Sequence, residues 1–372
     1  MNNQNLRFFL VAGEESGDIH GARLISALKE KSPNASFIGH GGNKMKAAGM
    51  EILEHVDDLA MMGFTEVLKH LPYMINVMGK TLKKTQEIKP HRLILIDYPG
   101  FNLRLAKNIH PLGLPITYFI MPQVWAWKEK RVNIIRKCVD QALCIFPFEQ
   151  EWFEQRGVNA HFIGHPFTEF HNPSINKEAF FQKHSLDNNK SLLVLFPGSR
   201  QQEIDRHLPI FVKTIALLND ENLQIIIGKA PNVSLSSIPA HWKIENDDTS
   251  LCLEYGTAVL TSSGTATLQS AVQDIPAVVS YKLSTGSWLL AKNLSHVPFA
   301  AMTNLIVGKE IVPEFLQNEM TPENLANAVR PLLNNSSERK NMLFGYEEVR
   351  RSLGIPGTYN RAADAILSRT KI

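Results

Sequence analysis

Asp97 directly follows the apolar run Leu93-Ile94-Leu95-Ile96 and is followed by Tyr98-Pro99-Gly100-Phe101-Asn102. Pro99 stops the strand from simply continuing, so Asp97 is expected at the carboxyl rim of a sheet, where a carboxylate can take the proton of a substrate hydroxyl. The plainer role for an isolated Asp after a strand is a cap or turn former. A second loop, Gly13-Glu14-Glu15-Ser16-Gly17-Asp18, opens a helix carrying Ile19, Leu24 and Leu28. Its glycines let backbone N–H groups approach a ligand at a helix N-terminus, although a helix entry capped by Ser16 or Asp18 is equally open. Gly13 and Gly17, four apart, do not make the G-x-G-x-x-G of a dinucleotide site.

Two further loops suit a diphosphate. In Phe196-Pro197-Gly198-Ser199-Arg200-Gln201-Gln202-Glu203, Gly198 permits close backbone approach, Ser199 can cap a helix and Arg200 offers a forked donor. The loop lacks the G-K-[ST] ending of a Walker motif, so ATP hydrolysis is not its natural reading. Arg is disfavoured in the first turn of a helix, which argues for a bound anion rather than a merely solvated side chain. Leu260-Thr261-Ser262-Ser263-Gly264-Thr265-Ala266-Thr267-Leu268-Gln269 again runs a strand into a hydroxyl-rich turn and a helix, with Gln269 on the face of Thr265, in reach of a ribose hydroxyl. A plain capped helix would explain either loop singly. Met121-Pro122-Gln123-Val124-Trp125-Ala126-Trp127-Lys128-Glu129-Lys130-Arg131 sets aromatic rings beside three cations, which suits a sugar face and a phosphate or anionic head group, or else a solvated helix with Trp anchors. His161 and His165 flank Gly164 without a carboxylate partner nearby and are read as structural or cleft residues, not metal ligands.

The elements that must position these loops are short apolar runs alternating with amphipathic segments: 8–12, 92–96, 116–120, 142–146, 191–196, 223–227, 257–260 and 277–280. That alternation predicts parallel sheets with crossover helices. The tract from Gly164 to Asn189 breaks it with Pro166, Pro173 and polar residues, so the chain divides there. The expected domains are 1–170 and 185–340, with a helical tail, 341–372, of two segments joined by a turn at Gly354-Ile355-Pro356-Gly357, one of them expected to pack back on the first domain. At 372 residues and 44% hydrophobic composition the chain is long enough for two such domains. A net charge of +3 on 20% charged residues calls for no nucleic acid. Cys138, Cys144 and Cys252 show no disulfide framework or paired-CxxC spacing, and a reducing, cytoplasmic setting is expected. No apolar stretch reaches membrane-helix length, so membrane contact would be peripheral. Phe64, Val67, Leu68, Leu71, Ile75 and Met78, at helical spacing, could face the core or a lipid interface, with the core the default.

Taken in order, these motifs resemble lipid-A-disaccharide synthase across nearly the whole chain. The resemblance is carried by Val11-Ala12-Gly13-Glu14 with Ser16-Gly17-Asp18, Met62-Gly63-Phe64 with Glu66-Val67-Leu68, and Asp97 with Pro99, Phe101 and Asn102. It continues in Val124-Trp125-Ala126-Trp127 with Lys130-Arg131-Val132, Phe162-Ile163-Gly164-His165-Pro166, Phe196-Pro197-Gly198-Ser199-Arg200, Ser263-Gly264-Thr265-Ala266 and Asn304-Leu305. It implies an α/β GT-B fold, two Rossmann-like domains facing a central cleft, and an inverting hexosyl transfer from UDP-2,3-diacylglucosamine to 2,3-diacylglucosamine 1-phosphate, without metal or other cofactor. Asp97 would then be the general base and Glu14 a second catalytic or acceptor-orienting carboxylate. Gly198, Ser199, Arg200, Ser263, Gly264, Thr265 and Gln269, with Asn304 beside them, would bind the donor. Ser16, Gly17, Asp18, Asn102, Gln123 and Trp125 would contact substrate. The implied setting is the cytoplasmic surface of the inner membrane, and dimerisation is left open. Gln269 stands where the family usually has Glu, and Gly100 replaces a common acidic residue. Another UDP-sugar GT-B enzyme, an epimerase or a non-catalytic nucleotide-binding protein at the membrane surface is the rival reading; an oxidoreductase is disfavoured by the missing glycine fingerprint.

Overall fold

The computed structural model describes residues 5–60, 67–169, 173–231, 233–262, 264–284, 288 and 297–370. The chain forms two compact units, Met1–Glu169 with Leu353–Ile372, and Phe170–Ser352.

The first unit is built on seven parallel strands: β1 (Arg7–Val11), β2 (Ser36–Gly41), β3 (Met50–His55), β4 (Arg92–Ile96), β5 (Ile116–Phe119), β6 (Gln141–Cys144) and β7 (Ala160–Phe162). Their order is β3-β2-β1-β4-β5-β6-β7, so the winding reverses between β1 and β4. The central strands are covered on both faces, which is why they read as unbroken apolar runs rather than alternating ones. Phe8, Phe9, Leu10, Leu93, Ile94 and Leu95 are all fully buried. β2 runs close under β1 at Gly39, where an added Cβ would sit 1.9 Å from the Leu10 carbonyl oxygen.

The second unit carries β8 (Ser191–Phe196), β9 (Leu223–Gly228), β10 (Lys243–Glu245), β11 (Ala258–Thr261), β12 (Ala277–Tyr281) and β13 (Glu314–Leu316), in the order β10-β9-β8-β11-β12-β13, again with these neighbours paired in parallel. Its order reverses between β8 and β11, so both sheets are doubly wound.

The end of the chain forms two helices, one in each unit. The helix Ser337–Ser352 belongs to the second unit and buries Met342, Tyr346 and Val349, whereas Thr358–Arg369 belongs to the first and packs on the helix Glu15–Lys31. Gly354 and Gly357, both at positive φ, make the turn between them. The last helix is held by polar groups that the first unit buries. Arg92, at the start of β4, donates to Thr117 Oγ1 (3.0 Å), Thr370 Oγ1 (3.2 Å) and the Arg369 carbonyl oxygen. Gln141 donates to the Ala365 carbonyl oxygen at 2.8 Å, and Lys31 pairs with Asp364 at 2.8 Å.

Replacing Arg92 with Met leaves the buried Thr117 hydroxyl and the end of the last helix short of a charged donor. The expected loss is about 2–4 kcal/mol in the unfolding of the first unit, with earlier proteolytic release of residues 358–370. Chemical denaturation with limited trypsin digestion reads both, and an unchanged midpoint and digestion pattern would refute the clamp.

Candidate active site

In the first unit, the loops after β1 and β4 flank the reversal in strand order, the position at which open α/β sheets bind ligands. Asp97 and Tyr98 both adopt left-handed backbone geometry, φ 42° and 50°, a conformation that costs a non-glycine residue about 1–3 kcal/mol and persists only where surroundings enforce it. Two groups do so. Asn102, fully buried, sends its Nδ2 toward the carbonyl oxygens of Val11 (3.3 Å), Ile96 (3.2 Å) and Asp97 (2.7 Å), tying the ends of β1 and β4 together. Tyr118 donates its hydroxyl to the same Asp97 carbonyl oxygen at 2.7 Å. The turn lays the Tyr98 ring over Gly13, where an added Cβ would fall 2.2 Å from the ring, and the Tyr98 hydroxyl donates to the Leu59 carbonyl oxygen.

Burial pushes the Asp97 carboxyl up to about 6; the Glu14 carboxylate adds to the rise and the Tyr98 backbone N–H opposes it. Glu14 itself is exposed, in extended backbone at the entry to the helix Glu15–Lys31. Ser16 is exposed in that helix's first turn. Gly17 approaches its own strand instead of open space, since an added Cβ would lie 3.1 Å from the Ala12 Cβ. Asp18 differs from its expected role. Its buried carboxylate accepts the backbone N–H groups of Gly42 (2.7 Å), Lys44 (3.0 Å) and Met45 (2.9 Å), so it fixes the turn after β2. Asn102 likewise acts on the backbone of the rim and is not open to substrate.

After β5, Gln123 and Trp127 are exposed while Trp125 is buried. The Trp125 indole N–H donates to Glu149 Oε1 at 2.9 Å, and its ring meets Phe148 edge-on at 4.9 Å. Glu149 was not singled out from the sequence, although Phe146-Pro147-Phe148-Glu149 carries a helix-start signal, Pro at the first position and Glu at the third. Burial drives its carboxyl up to about 7 against the pull of its three N–H donors. His165 is buried between the Phe146 and Phe167 rings, and its Nδ1 accepts the Phe167 backbone N–H. Burial lowers it to about 3.

In the second unit, the loops after β8 and β11 border a cavity of about 350 Å³ lined by Ser199, Glu203, Ser262, Gly264, Tyr281 and Ala300, at the small-ligand end of the usual range. Gly198, at φ 144°, makes the turn. Arg200 ends it with its side chain 81% exposed and 3.8 Å from Glu203. Glu203, given no role from sequence, accepts the backbone N–H groups of Ser199 (2.9 Å) and Arg200 (3.3 Å) on one oxygen and the Tyr281 hydroxyl (2.8 Å) on the other. Two of the amides expected to meet a phosphate therefore already hold a carboxylate. Ser263 and the side chain of Thr265 lie outside the described residues; their neighbour Ser262 lines the cavity, with its hydroxyl on the Phe196 carbonyl oxygen. Gly264 begins the second helix, Gly264–Val272, and Gln269 is half-buried farther along it. Asn304 does not reach the cavity. It is fully buried, donates to the Val312 carbonyl oxygen and Glu314, and accepts from Ile311 and Val312. Glu314 in turn accepts the Ala300 and Ala301 N–H groups, so Asn304 acts on the cavity wall at one remove.

A family model described as lipid-A-disaccharide synthetase matches residues 8–366. A lipid-A-disaccharide synthase of Myxococcus xanthus is 36% identical over 372 residues, covering 97% of each chain. One of Acidobacterium capsulatum is 37% identical over 370 residues, covering 94% of this chain and 92% of the relative. Among solved structures, a calicheamicin glycosyltransferase aligns over 100% of both chains with a TM-score of 0.62 at 14% identity. A UDP-GlcNAc 2-epimerase of Neisseria meningitidis bound to UDP-GlcNAc aligns over 98% of this chain and 99% of its own with a TM-score of 0.64 at 10% identity. At those identities the structural likeness speaks for the fold alone, which is the expected GT-B class.

A Gly13→Ala change drives its Cβ into the Tyr98 ring and is expected to cost about 1–3 kcal/mol, as overpacking does. Combined with Tyr98→Ala it should cost less than the sum of the two single changes, because removing the ring relieves the clash that the new Cβ creates. Denaturant unfolding of the three variants checks this; strict additivity would show that the ring does not rest on Gly13.

Proposed function

This chain belongs to the lipid-A-disaccharide synthase family, and from that premise we propose that it joins UDP-2,3-diacylglucosamine to 2,3-diacylglucosamine 1-phosphate, releasing UDP and a tetra-acylated disaccharide 1-phosphate. It is a glycosyltransferase of lipid A biosynthesis; an epimerase shares its fold but not its family.

One observation carries the assignment of roles: Asp97 is held in strained backbone at the β1–β4 reversal, with its proton affinity raised to about 6. A group titrating there is mostly ionised at neutral pH yet still takes up a proton as one is released, which suits a general base. In the proposed step the acceptor 6-hydroxyl oxygen attacks the anomeric carbon as its proton passes to Asp97. The bond from that carbon to the phosphate oxygen breaks, and UDP leaves with the electron pair. Attack opposite the leaving group inverts the anomeric centre. Glu14, exposed beside Asp97, orients the acceptor and faces the positive charge that develops on the sugar. In the second unit the exposed Arg200 and the N-terminus of Gly264–Val272 complement the charge of the diphosphate, with Ser199, Gly198 and Gln269 around it.

Membrane contact belongs to this reading because both substrates carry acyl chains. Among the described residues no helix is long and apolar enough to cross a membrane. In the helix Val67–Ile88, Val77 faces the core whereas Ile75 is 64% exposed. Trp127 is 55% exposed beside Lys128, Lys130 and Arg131, which suits a peripheral site on an anionic inner-membrane surface. Phe64 and the side chains of Leu68 and Leu71 lie outside the described residues.

Asp97→Asn is expected to lower kcat by about 10²–10⁴-fold while UDP affinity stays unchanged. In the wild type, kcat/KM should fall as pH drops through about 6, because protonation removes the base, and that limb should be lost in the variant. Transfer followed by UDP release and disaccharide together, with calorimetric UDP binding, checks both; a variant with wild-type turnover would exclude Asp97 as base. Ile75→Glu with Trp127→Ala should lower cosedimentation with anionic vesicles, and unchanged partitioning would exclude these two residues from the membrane contact.

A further inference from the structure

Glu149 is a carboxylate that the proposed reaction leaves unused. It is fully buried, and among the described residues it has no cationic partner. Three neutral donors hold it: the Trp125 indole N–H on Oε1 at 2.9 Å, and the backbone N–H groups of Ile145 and Phe146 on Oε2 at 3.3 and 3.2 Å. Burying an ionisable group carries a desolvation cost that hydrogen bonds from neutral donors offset only in part. Its consequence lies in what it holds.

Trp125 belongs to the exit loop of β5, and Glu149 to the helix Pro147–Glu154 that follows β6, so their bond joins the loops of neighbouring strands. The same helix offers Phe148 to the Trp125 ring. The β5 loop leaves its strand through Ile120, left-handed at φ 62°, whose N–H donates to the Leu143 carbonyl oxygen at 3.2 Å. One strand over, the Asp97 N–H donates to the Phe119 carbonyl oxygen at 3.2 Å, and Tyr118 binds the Asp97 carbonyl. The ends of β4, β5 and β6 are thus laced in series, and the Glu149–Trp125 bond is a buried side-chain anchor of the β5 loop, farther along which Glu129 pairs with Arg156 at the surface.

We propose that Glu149 is a positioning residue of the acceptor site: through Trp125 it fixes the β5 exit loop beside the strand end that carries Asp97, so that the acceptor hydroxyl meets the base in reactive register. The inference rests on the reading of Asp97 as base and of the first unit as the acceptor side. Glu149 touches no reacting atom in this scheme.

The test uses the full-length protein with Trp125→Phe, which keeps the ring on Phe148 and removes only the N–H, Glu149→Gln, and the double variant. Transfer is measured with acceptor and donor varied in turn, beside calorimetric UDP binding and thermal unfolding. Each single variant is expected to lose about 10–100-fold in kcat/KM for the acceptor, as small misplacements of reacting groups do, with UDP affinity within about two-fold of wild type. The double variant should be no worse than the weaker single, since both cut one contact. Acceptor kinetics unchanged in Trp125→Phe, UDP affinity falling in step with transfer, or strict additivity would each overturn the proposal. If Glu149→Gln fails to fold, Trp125→Phe decides by the same acceptor and UDP measurements. A wild type that releases UDP without forming disaccharide would overturn the acceptor reading as well, and that failure appears before any variant is made.

Discussion

Where β1 and β4 stop decides the geometry of the first unit, and one buried side-chain amide fixes both ends. Beyond the last rung of a parallel ladder the carbonyl oxygens have no strand partner, and buried carbonyls must find another donor. Asn102 Nδ2 lies within bonding distance of three of them, Val11, Ile96 and Asp97, from the helix that immediately follows Asp97. For that reach the chain must turn sharply after Ile96, which puts Asp97 and Tyr98 in left-handed geometry with Pro99 starting the helix. The strain is local, and the bonds that hold it come from Asn102 and Tyr118. Close approach of the Tyr98 ring then requires Gly at position 13.

The second unit solves a different problem with the same parts. Its β8 loop presents amides at a helix N-terminus, a place that attracts anions, yet the carboxylate of Glu203 from the same helix's first turn occupies two of those amides. Glu203 also receives the Tyr281 hydroxyl from the end of β12, and His207 donates from Nδ1 to the Pro197 carbonyl oxygen while its Nε2 accepts the Lys282 backbone N–H, so the loop is held by the unit's own groups. Arg200 is left with an exposed guanidinium. The β8 loop is therefore a hydrogen-bonded mount for an exposed cation rather than a bare nest of amides, and the opposite wall is held through Asn304 and Glu314.

The central strands were legible because burial on both faces makes them continuous apolar runs: Arg92–Ile96 and Ser191–Phe196 fall where the sequence puts them. The strands without such a run were not. β3, β7, β10 and β13 are sheet edges with half-buried residues, and β2 carries Gly39 and His40 where a strand pattern would want bulk. At the sites, residue type and loop position pointed to Asp97 and Arg200, since each follows an apolar run at the rim where open α/β sheets bind ligands, although an Asp there has a cap or turn as its plainer role. Asp18, Asn102 and Asn304 stand in motifs equally well, but their partners are backbone groups from distant segments: Gly42 to Met45, Val11, and Val312. Asn102 also reaches Ile96 and Asp97 within its own motif, but the spacing of a motif does not encode the contacts with other segments. Glu149 escaped for the same reason, because its value depends on Trp125, 24 residues away.

The two carboxylates at the reversal of the first sheet differ in their surroundings more than in their chemistry. Glu14 ends its loop exposed, with water to support its charge, whereas Asp97 is partly withdrawn from water and feels the Glu14 charge as well. Desolvation and a like charge both raise the proton affinity of the inner group, so of the pair Asp97 is the one prepared to accept a proton. In the proposed reaction the bonds that hold the Asp97 backbone have a second use: by fixing the strand end, Asn102 and Tyr118 would keep the carboxylate at the depth where burial raises its proton affinity.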